Sequence, residues 1–141
     1  MLEQSTRGES LVQVPGGTSA LRKTVNCHIT TASAAEVMVS LPNVLGALTL
    51  KGGAYKTDSR DKQRHLEDAV VLLITVEDAD EIVEDTEQWT QNDGSRLRTL
   101  HKALDHDHPA WQLITEESER MRAQKSLEIL AEGARKNHAR V

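Results

Sequence analysis

Hydrophobic and polar residues alternate in three short stretches of the first third of the sequence, over residues 10–14, 23–30 and 36–41. Alternation puts the apolar side chains on one face of an extended backbone, so each stretch is predicted to be a β-strand. The first strand ends at Pro15-Gly16-Gly17, which is typical of a turn. Residues 10–41 are therefore predicted to form a small antiparallel sheet of two or three strands, after a flexible N-terminus over residues 1–9.

From Pro42 onward, apolar residues recur every three or four positions, which is the period of one face of an α-helix. Pro42 is predicted to be the first helical residue, because the missing N–H of proline has no partner there. A second helix is predicted from about Asp61 to Val76. Its second half, residues 69–76, is apolar nearly all round, which predicts a central helix with neighbours on most sides.

Three further segments have helical features. The acidic segment over residues 77–88 predicts a short amphipathic helix, and a turn-and-cap sequence beginning at Asn92 predicts the start of the next one. The last helix is predicted to begin after Thr115, where two glutamates favour the positive end of the helix dipole. The helical portion is thus predicted to span residues 42–134, followed by a flexible tail over residues 135–141.

These elements predict an α+β fold, with the small antiparallel sheet followed by a bundle of four or five helices. The length of 141 residues suits one domain with one core.

The 22 acidic and 17 basic residues give a net charge of −5, a balance that does not favour nucleic acid as a partner. A single cysteine, Cys27, excludes an internal disulfide framework. No apolar run reaches the ~18 residues that a membrane span needs, and no signal sequence is evident, so the expected location is the cytoplasm.

Lys51 interrupts the apolar face of the first predicted helix, between Ala47 and Tyr55. Burying an ammonium group is costly unless it has a partner, so lysine is uncommon in such a position. One explanation is that the aliphatic part packs on the core while the ammonium group reaches water. The other is an inward-facing cation that binds a phosphate or a carboxylate.

Asp68 is the expected partner of Lys51, because it lies one residue before the apolar half of the second helix. Arg64 is four residues before Asp68, so the two could also form an ordinary surface pair along the helix. Five cations form a local basic cluster that would suit a small polyphosphate such as a nucleotide: Lys51, Lys56, Arg60, Lys62 and Arg64. The alternative is a charged loop that is simply solvated.

Three segments, VPGGTSALRKTV, SLPNVLGALTLKGGAY and DSRDKQRHLEDAVVLL, resemble the C-terminal part of AbiEii-like nucleotidyltransferases, the toxins of type IV toxin–antitoxin (abortive infection) systems. The last two are most similar to actinobacterial members. The resemblance covers about residues 10–130 and implies a partial nucleotidyltransferase fold. By this resemblance Lys51 matches the family's helix lysine and Asp68 the final aspartate of its helical motif. Arg64 stands in place of the motif lysine, and His65 replaces the motif's first aspartate.

The family's catalytic signature, Gly-Ser followed by Asp-x-Asp on a strand, is absent from the sequence, and Glu36 is the only acid in residues 10–41. The resemblance therefore implies a chain that begins partway through the fold, either because the gene start is misplaced or because the protein is a truncated remnant. It implies a nucleoside triphosphate contacted by Lys51 and Arg64 and a lysine oriented by Asp68. Arg60, a member of the basic cluster, is predicted to belong to the same phosphate-binding site. It also implies Mg²⁺ held by residues that are missing here, and an antitoxin protein as partner. The chain alone is expected to be inactive in nucleotidyl transfer, and its incomplete sheet is expected to expose an edge that favours self-association.

Two other functional classes remain open. The helical portion could be a non-enzymatic interaction module on which the strands merely pack. A metal hydrolase would need His101, His106 and His108, together with Asp105 and Asp107, to converge on one ion, and an exposed loop at a helix end is the commoner arrangement of such residues.

Overall fold

Two antiparallel strands begin the part of the chain that the computed structural model describes, which is residues 23–138. β1 (Thr24–Thr30) pairs with β2 (Glu36–Pro42), in a register that sets Thr24 opposite Pro42 and Thr30 opposite Glu36. The loop between them closes through a 2.9 Å hydrogen bond from the Thr31 N–H to the Ala35 carbonyl. The predicted strand over residues 10–14 and the turn after it lie outside the described residues.

The two strands have one apolar face, which is formed by three cross-strand pairs: Val25 with Leu41, Cys27 with Val39, and Ile29 with Val37. The described residues do not cover this face completely, since Val25, Ile29 and Leu41 remain between 44% and 49% exposed. The sequence correctly predicts the alternation of the strands. None of their residues belongs to the hydrophobic core of the described part of the chain.

Five α-helices and two short 3₁₀ segments follow the strands within residues 23–138, which confirms the predicted α+β class. The helices are α1 (Val44–Thr57), α2 (Lys62–Ile74), α3 (Ala79–Glu84), α4 (Asp93–Ala103) and α5 (Glu117–His138), and the 3₁₀ segments are Thr86–Gln88 and Pro109–Leu113. No helix of the described part is long and apolar enough to cross a membrane.

Polar side chains fix where the first two helices begin. The Asn43 carboxamide oxygen accepts a 2.9 Å hydrogen bond from the Gly46 N–H, so α1 starts after Asn43. Pro42 was predicted to open this helix, and that prediction is wrong, because Pro42 is the last residue of β2. Asp61 caps α2 by accepting from the Arg64 N–H at 3.4 Å, close to the predicted boundary.

The second half of α2 is enclosed on most sides but not on all. Its buried residues, Leu66, Ala69, Val70 and Leu73, have the spacing of a single face. Val71 points away from that face and is 53% exposed. Leu72 and Ile74, beside that face, also pack against the core. The helix therefore has neighbours on most sides, as predicted, and the described residues leave the side of Val71 open.

The hydrophobic core lies entirely in the helical part of the described residues, between Leu45 and Ala134. Its largest member is Trp111, which is 2% exposed and donates its indole N–H to the Asp105 carbonyl at 2.8 Å. The final helix runs on to His138, so residues 135–138 are helical and not part of a terminal tail.

Candidate functional site

Lys51 and Asp68 form the ion pair that the sequence predicts. The Lys51 Nζ lies 2.7 Å from Asp68 Oδ2, across the interface between α1 and α2. The two side chains are 31% and 39% exposed. The Lys51 ammonium group therefore has an acidic partner, and the side chain that carries it is partly exposed to solvent.

The α1–α2 hairpin explains why the two residues meet. The loop of residues 58–61 joins the helices. Lys51 lies six residues before the end of α1, and Asp68 lies six residues after the start of α2. At ~1.5 Å per residue, both are about 9 Å along their helices from the loop. Equal distances along two packed antiparallel helices bring the side chains level with each other.

The apolar pattern predicts that Lys51 lies in the middle of the buried face of α1. That prediction is wrong. The buried residues include Leu45, Leu48, Thr49 and Gly52, and Lys51 lies at their border. Gly52 is buried because α4 approaches it closely, and hydrophobic periodicity does not identify small or polar residues such as Gly52 and Thr49. The border position is what leaves the Lys51 side chain partly exposed.

The loop between α1 and α2 is organised by Asp58. Its carboxylate accepts a 2.9 Å hydrogen bond from the Arg60 N–H and lies 3.1 Å from His65 Nε2. The hydrogen bond from the Arg60 backbone, followed by that from His65, lowers the pKa of Asp58. His65, which replaces the first aspartate of the family motif, thus ties the loop to α2.

Lowering the pH is expected to weaken this loop. Because the pKa of Asp58 in the folded protein lies below its usual 3.8, the ionised carboxylate stabilises the folded state above that pH. The contribution is lost as the pH falls through the folded-state value. Asp58→Asn removes the contribution, so wild type and variant should differ in free energy of unfolding at neutral pH and converge in acid. Urea unfolding over this pH range measures the difference, with the exposed Asp107→Asn as control. A difference that does not change with pH would contradict the prediction.

The predicted phosphate-binding arginines lie on the outside of the loop and of the first turn of α2. The Arg60 side chain is 93% exposed, with its Nε 3.7 Å from Asp58 Oδ1. The Arg64 side chain is also exposed. The predicted surface pair between Arg64 and Asp68 does not form, because Asp68 is paired with Lys51. The structure thus brings Lys51 and Asp68 together and leaves both arginines in solvent.

The remaining members of the basic cluster are held elsewhere. The Lys62 Nζ donates to the Tyr55 carbonyl at 2.7 Å and lies 4.9 Å from the centre of the Tyr55 ring. The Lys56 Nζ donates to Ser95 Oγ on α4 at 3.2 Å. The basic cluster is therefore divided between two sides of α1.

Sequence reasoning missed the most deeply buried charges of the described residues. The Lys23 Nζ lies 2.8 Å from Asp93 Oδ2, and both side chains are completely buried. Asp93 also accepts hydrogen bonds from the N–H and the hydroxyl of Thr90, at 2.7 and 3.0 Å. No local signal identifies this pair, because Lys23 precedes a strand and Asp93 belongs to a turn-and-cap sequence far along the chain.

His106 and His108 make hydrogen-bond contacts with neighbouring residues of the protein. His106 Nδ1 lies 3.0 Å from Gln124 Oε1, and His108 Nδ1 accepts from the Ala110 N–H at 3.1 Å. Within residues 23–138, no three His, Cys, Asp or Glu side chains are placed to hold a metal ion.

The Mg²⁺ that the family resemblance implies does not fit the residues described. Mg²⁺ is usually bound through one or two carboxylates near the phosphates of the substrate. The two described strands carry one carboxylate, that of Glu36, which is exposed. This donor set does not provide the carboxylate cluster of a nucleotidyltransferase.

No protein-family model, no curated protein and no solved structure matches this chain. The resemblance to AbiEii-like toxins therefore rests on the three sequence segments alone.

Proposed function

We propose that this chain is the phosphate-binding half of a nucleotidyltransferase-like domain of the AbiEii type, lacks the metal-binding carboxylates and is inactive in nucleotidyl transfer by itself. The main observation in support of the proposal is the Lys51–Asp68 pair, with its 2.7 Å contact and its partly exposed side chains. An ammonium group has three N–H donors. With one of them directed at Asp68, the others remain available for phosphate oxygens.

The neighbouring residues support a triphosphate as ligand. Arg64 is one helical turn before Asp68 on α2, and Arg60 is on the loop that precedes it. Both guanidinium groups are exposed, so either can move to a phosphate without breaking a buried contact. Asp68 would act as a positioning residue that holds the Lys51 ammonium group toward the phosphate.

The proposal includes no catalytic step by the described residues. Carboxylates and Mg²⁺ for nucleotidyl transfer would have to be supplied by residues outside 23–138 or by another protein. An antitoxin as partner and a cytoplasmic location also belong to the proposal. The unpaired thiol of Cys27 is consistent with a reducing compartment.

Substituting Lys51 with alanine is expected to weaken nucleoside triphosphate binding at least tenfold, since a hydrogen bond to a charged group contributes about 1.5–3 kcal/mol. Calorimetric titration with ATP, GTP, CTP and UTP in turn, and with tripolyphosphate, measures the dissociation constants. Lys125→Ala is the matched control, because Lys125 is also a lysine paired with an acid, Glu128, at 2.9 Å, but lies on α5. Equal affinities of wild type and Lys51→Ala, or no binding by the wild type, would contradict the proposal.

Asp68→Asn distinguishes two possible effects of Asp68 on triphosphate binding: orientation of Lys51 and electrostatic repulsion of the phosphates. If Asp68 only repels the phosphates, removal of its charge should strengthen binding. If it orients Lys51, binding should weaken although a negative charge has been removed. The proposed function requires the second result.

The second candidate function is a non-enzymatic helical interaction module. It is favoured by the position of the hydrophobic core, which the described strands do not enter. A helical unit that has its own core can present a surface to a partner without any nucleotide. This candidate predicts no saturable binding of triphosphates by the wild type, so the same titrations distinguish the two functions.

A further inference from the structure

A small cavity of about 170 Å³ lies between the end of α1 and the beginning of α4. Its lining contains two cations, three neutral polar residues, one glycine and no acid: Lys56, Arg96, Thr57, Asn92, Ser95 and Gly53. It is on the α4 side of α1, whereas Lys51 meets Asp68 on the α2 side. The cavity is therefore separate from the proposed nucleotide site.

Arg96 has no counter-ion within residues 23–138. Its Nη1 is buried and has no hydrogen-bond partner among these residues. No ion pair of the described residues includes Arg96. A buried guanidinium N–H without an acceptor is costly, and native proteins rarely leave such groups unsatisfied. Arg96 also lines the cavity, and no acid of the described residues neutralises its charge there.

The second cation of the cavity has only a neutral partner. The Lys56 Nζ donates to Ser95 Oγ at 3.2 Å, which uses one of its three N–H donors. Because the Ser95 oxygen accepts this bond, the hydroxyl proton of Ser95 remains free to donate. The acids nearest in the sequence have other partners: Asp58, two residues from Lys56, accepts from the Arg60 N–H and lies 3.1 Å from His65 Nε2. Asp93, two residues from Ser95, is held by Lys23 and Thr90.

Backbone packing fixes the position of Arg96. A Cβ atom placed on Gly52 would lie 2.5 Å from the Arg96 carbonyl oxygen, so α4 rests directly on the backbone of α1 at this point. The two cations are thus presented from two helices in direct contact. A preorganised arrangement of this kind binds a ligand with little loss of conformational entropy.

We propose that this cavity binds one tetrahedral oxyanion, a phosphate or the phosphoryl group of a larger molecule, between Lys56, Arg96 and the Ser95 hydroxyl. Arginine matches phosphate oxygens through two parallel N–H donors, and lysine adds a point charge. The volume is below the ~300–1,000 Å³ of pockets for drug-sized ligands, so a single phosphoryl group fits and a whole nucleotide does not.

The test is a titration of the full chain with inorganic phosphate at constant ionic strength, followed by calorimetry and by the amide shifts of Gly53 and Ser95. Wild type should bind phosphate saturably. Lys56→Ala and Arg96→Gln should each weaken binding at least about tenfold. Lys102→Ala, at an exposed lysine on the same α4, should leave it unchanged. Lys56 is exposed, so its variant keeps the test valid even if Arg96→Gln does not fold.

A parallel titration with ATP distinguishes the two sources of the phosphoryl group. Binding of free phosphate that is sensitive to Lys56→Ala identifies an ion site. If ATP binds and Lys56→Ala weakens its binding, but free phosphate does not bind, the site takes the phosphoryl group of a larger ligand. Either of these two results supports the proposal. Failure of both ligands to bind saturably, or equal losses in Lys56→Ala and Lys102→Ala, would overturn it. Lys51→Ala reports on the proposed nucleotide site separately.

Discussion

Replacing Lys23 with methionine is expected to lower the free energy of unfolding by about 3–5 kcal/mol. Methionine preserves the apolar bulk of the side chain but leaves the Asp93 carboxylate, which is completely buried, without its cation at 2.8 Å. Removing one partner of a buried pair costs more than the pair itself contributes, since the remaining charge stays desolvated. Urea unfolding of wild type and variant at neutral pH measures the change.

Two further variants identify the cause of that loss. Lys23→Met combined with Asp93→Asn removes both charges and should recover part of the stability, because no unpaired charge stays buried. Lys125→Met, at an exposed lysine of α5, controls for the substitution itself and should change stability by less than about 1 kcal/mol. If Lys23→Met is as stable as wild type, Lys23 is not the buried partner of Asp93 in solution.

Replacing Gly52 with valine is the second substitution with a large expected effect, a loss of about 3 kcal/mol, at the upper end of the usual cost of overpacking. The added Cβ would lie 2.5 Å from the Arg96 carbonyl oxygen and 3.0 Å from the Arg96 Cβ. Neither atom can move away without shifting α4. The usual gain from replacing a glycine inside a helix, about 0.5–1 kcal/mol, is too small to offset this overlap.

Ala54→Val is the matched control for Gly52→Val. It introduces the same β-branched side chain in the same helix, at a position that is partly exposed. Thermal and urea unfolding should show a small loss for Ala54→Val and a large one for Gly52→Val. Equal losses in both variants would mean that helix propensity, and not the close approach of α4, explains the effect.

The features predicted correctly from the sequence are those set by local spacing. Lys51 and Asp68 are 17 residues apart in the sequence, and a short loop between two amphipathic helices is enough to bring them level. The alternation of the two described strands is likewise a local property. The incomplete burial of these strands is not a local property, because it depends on whether another element covers them.

The features missed from the sequence depend on contacts between distant segments. Lys23 and Asp93 look like ordinary polar residues, and only the packed fold encloses them together. Arg96 looks like a surface position on an amphipathic helix, yet its Nη1 is buried because Gly52 lets α4 approach α1 closely. Val71 belongs to the apolar run over residues 69–76, and it is 53% exposed because nothing in the described residues packs on that side of α2.

The most direct test of phosphate binding at Lys51 is the set of backbone amide shifts of the ¹⁵N-labelled full chain during titration with a nucleoside triphosphate. If Lys51, Arg64 and Asp68 form the binding site, saturable shifts should concentrate on the α1–α2 hairpin, and Lys51→Ala should abolish them. Shifts that leave the hairpin unchanged, or that persist in Lys51→Ala, would contradict phosphate binding by this pair.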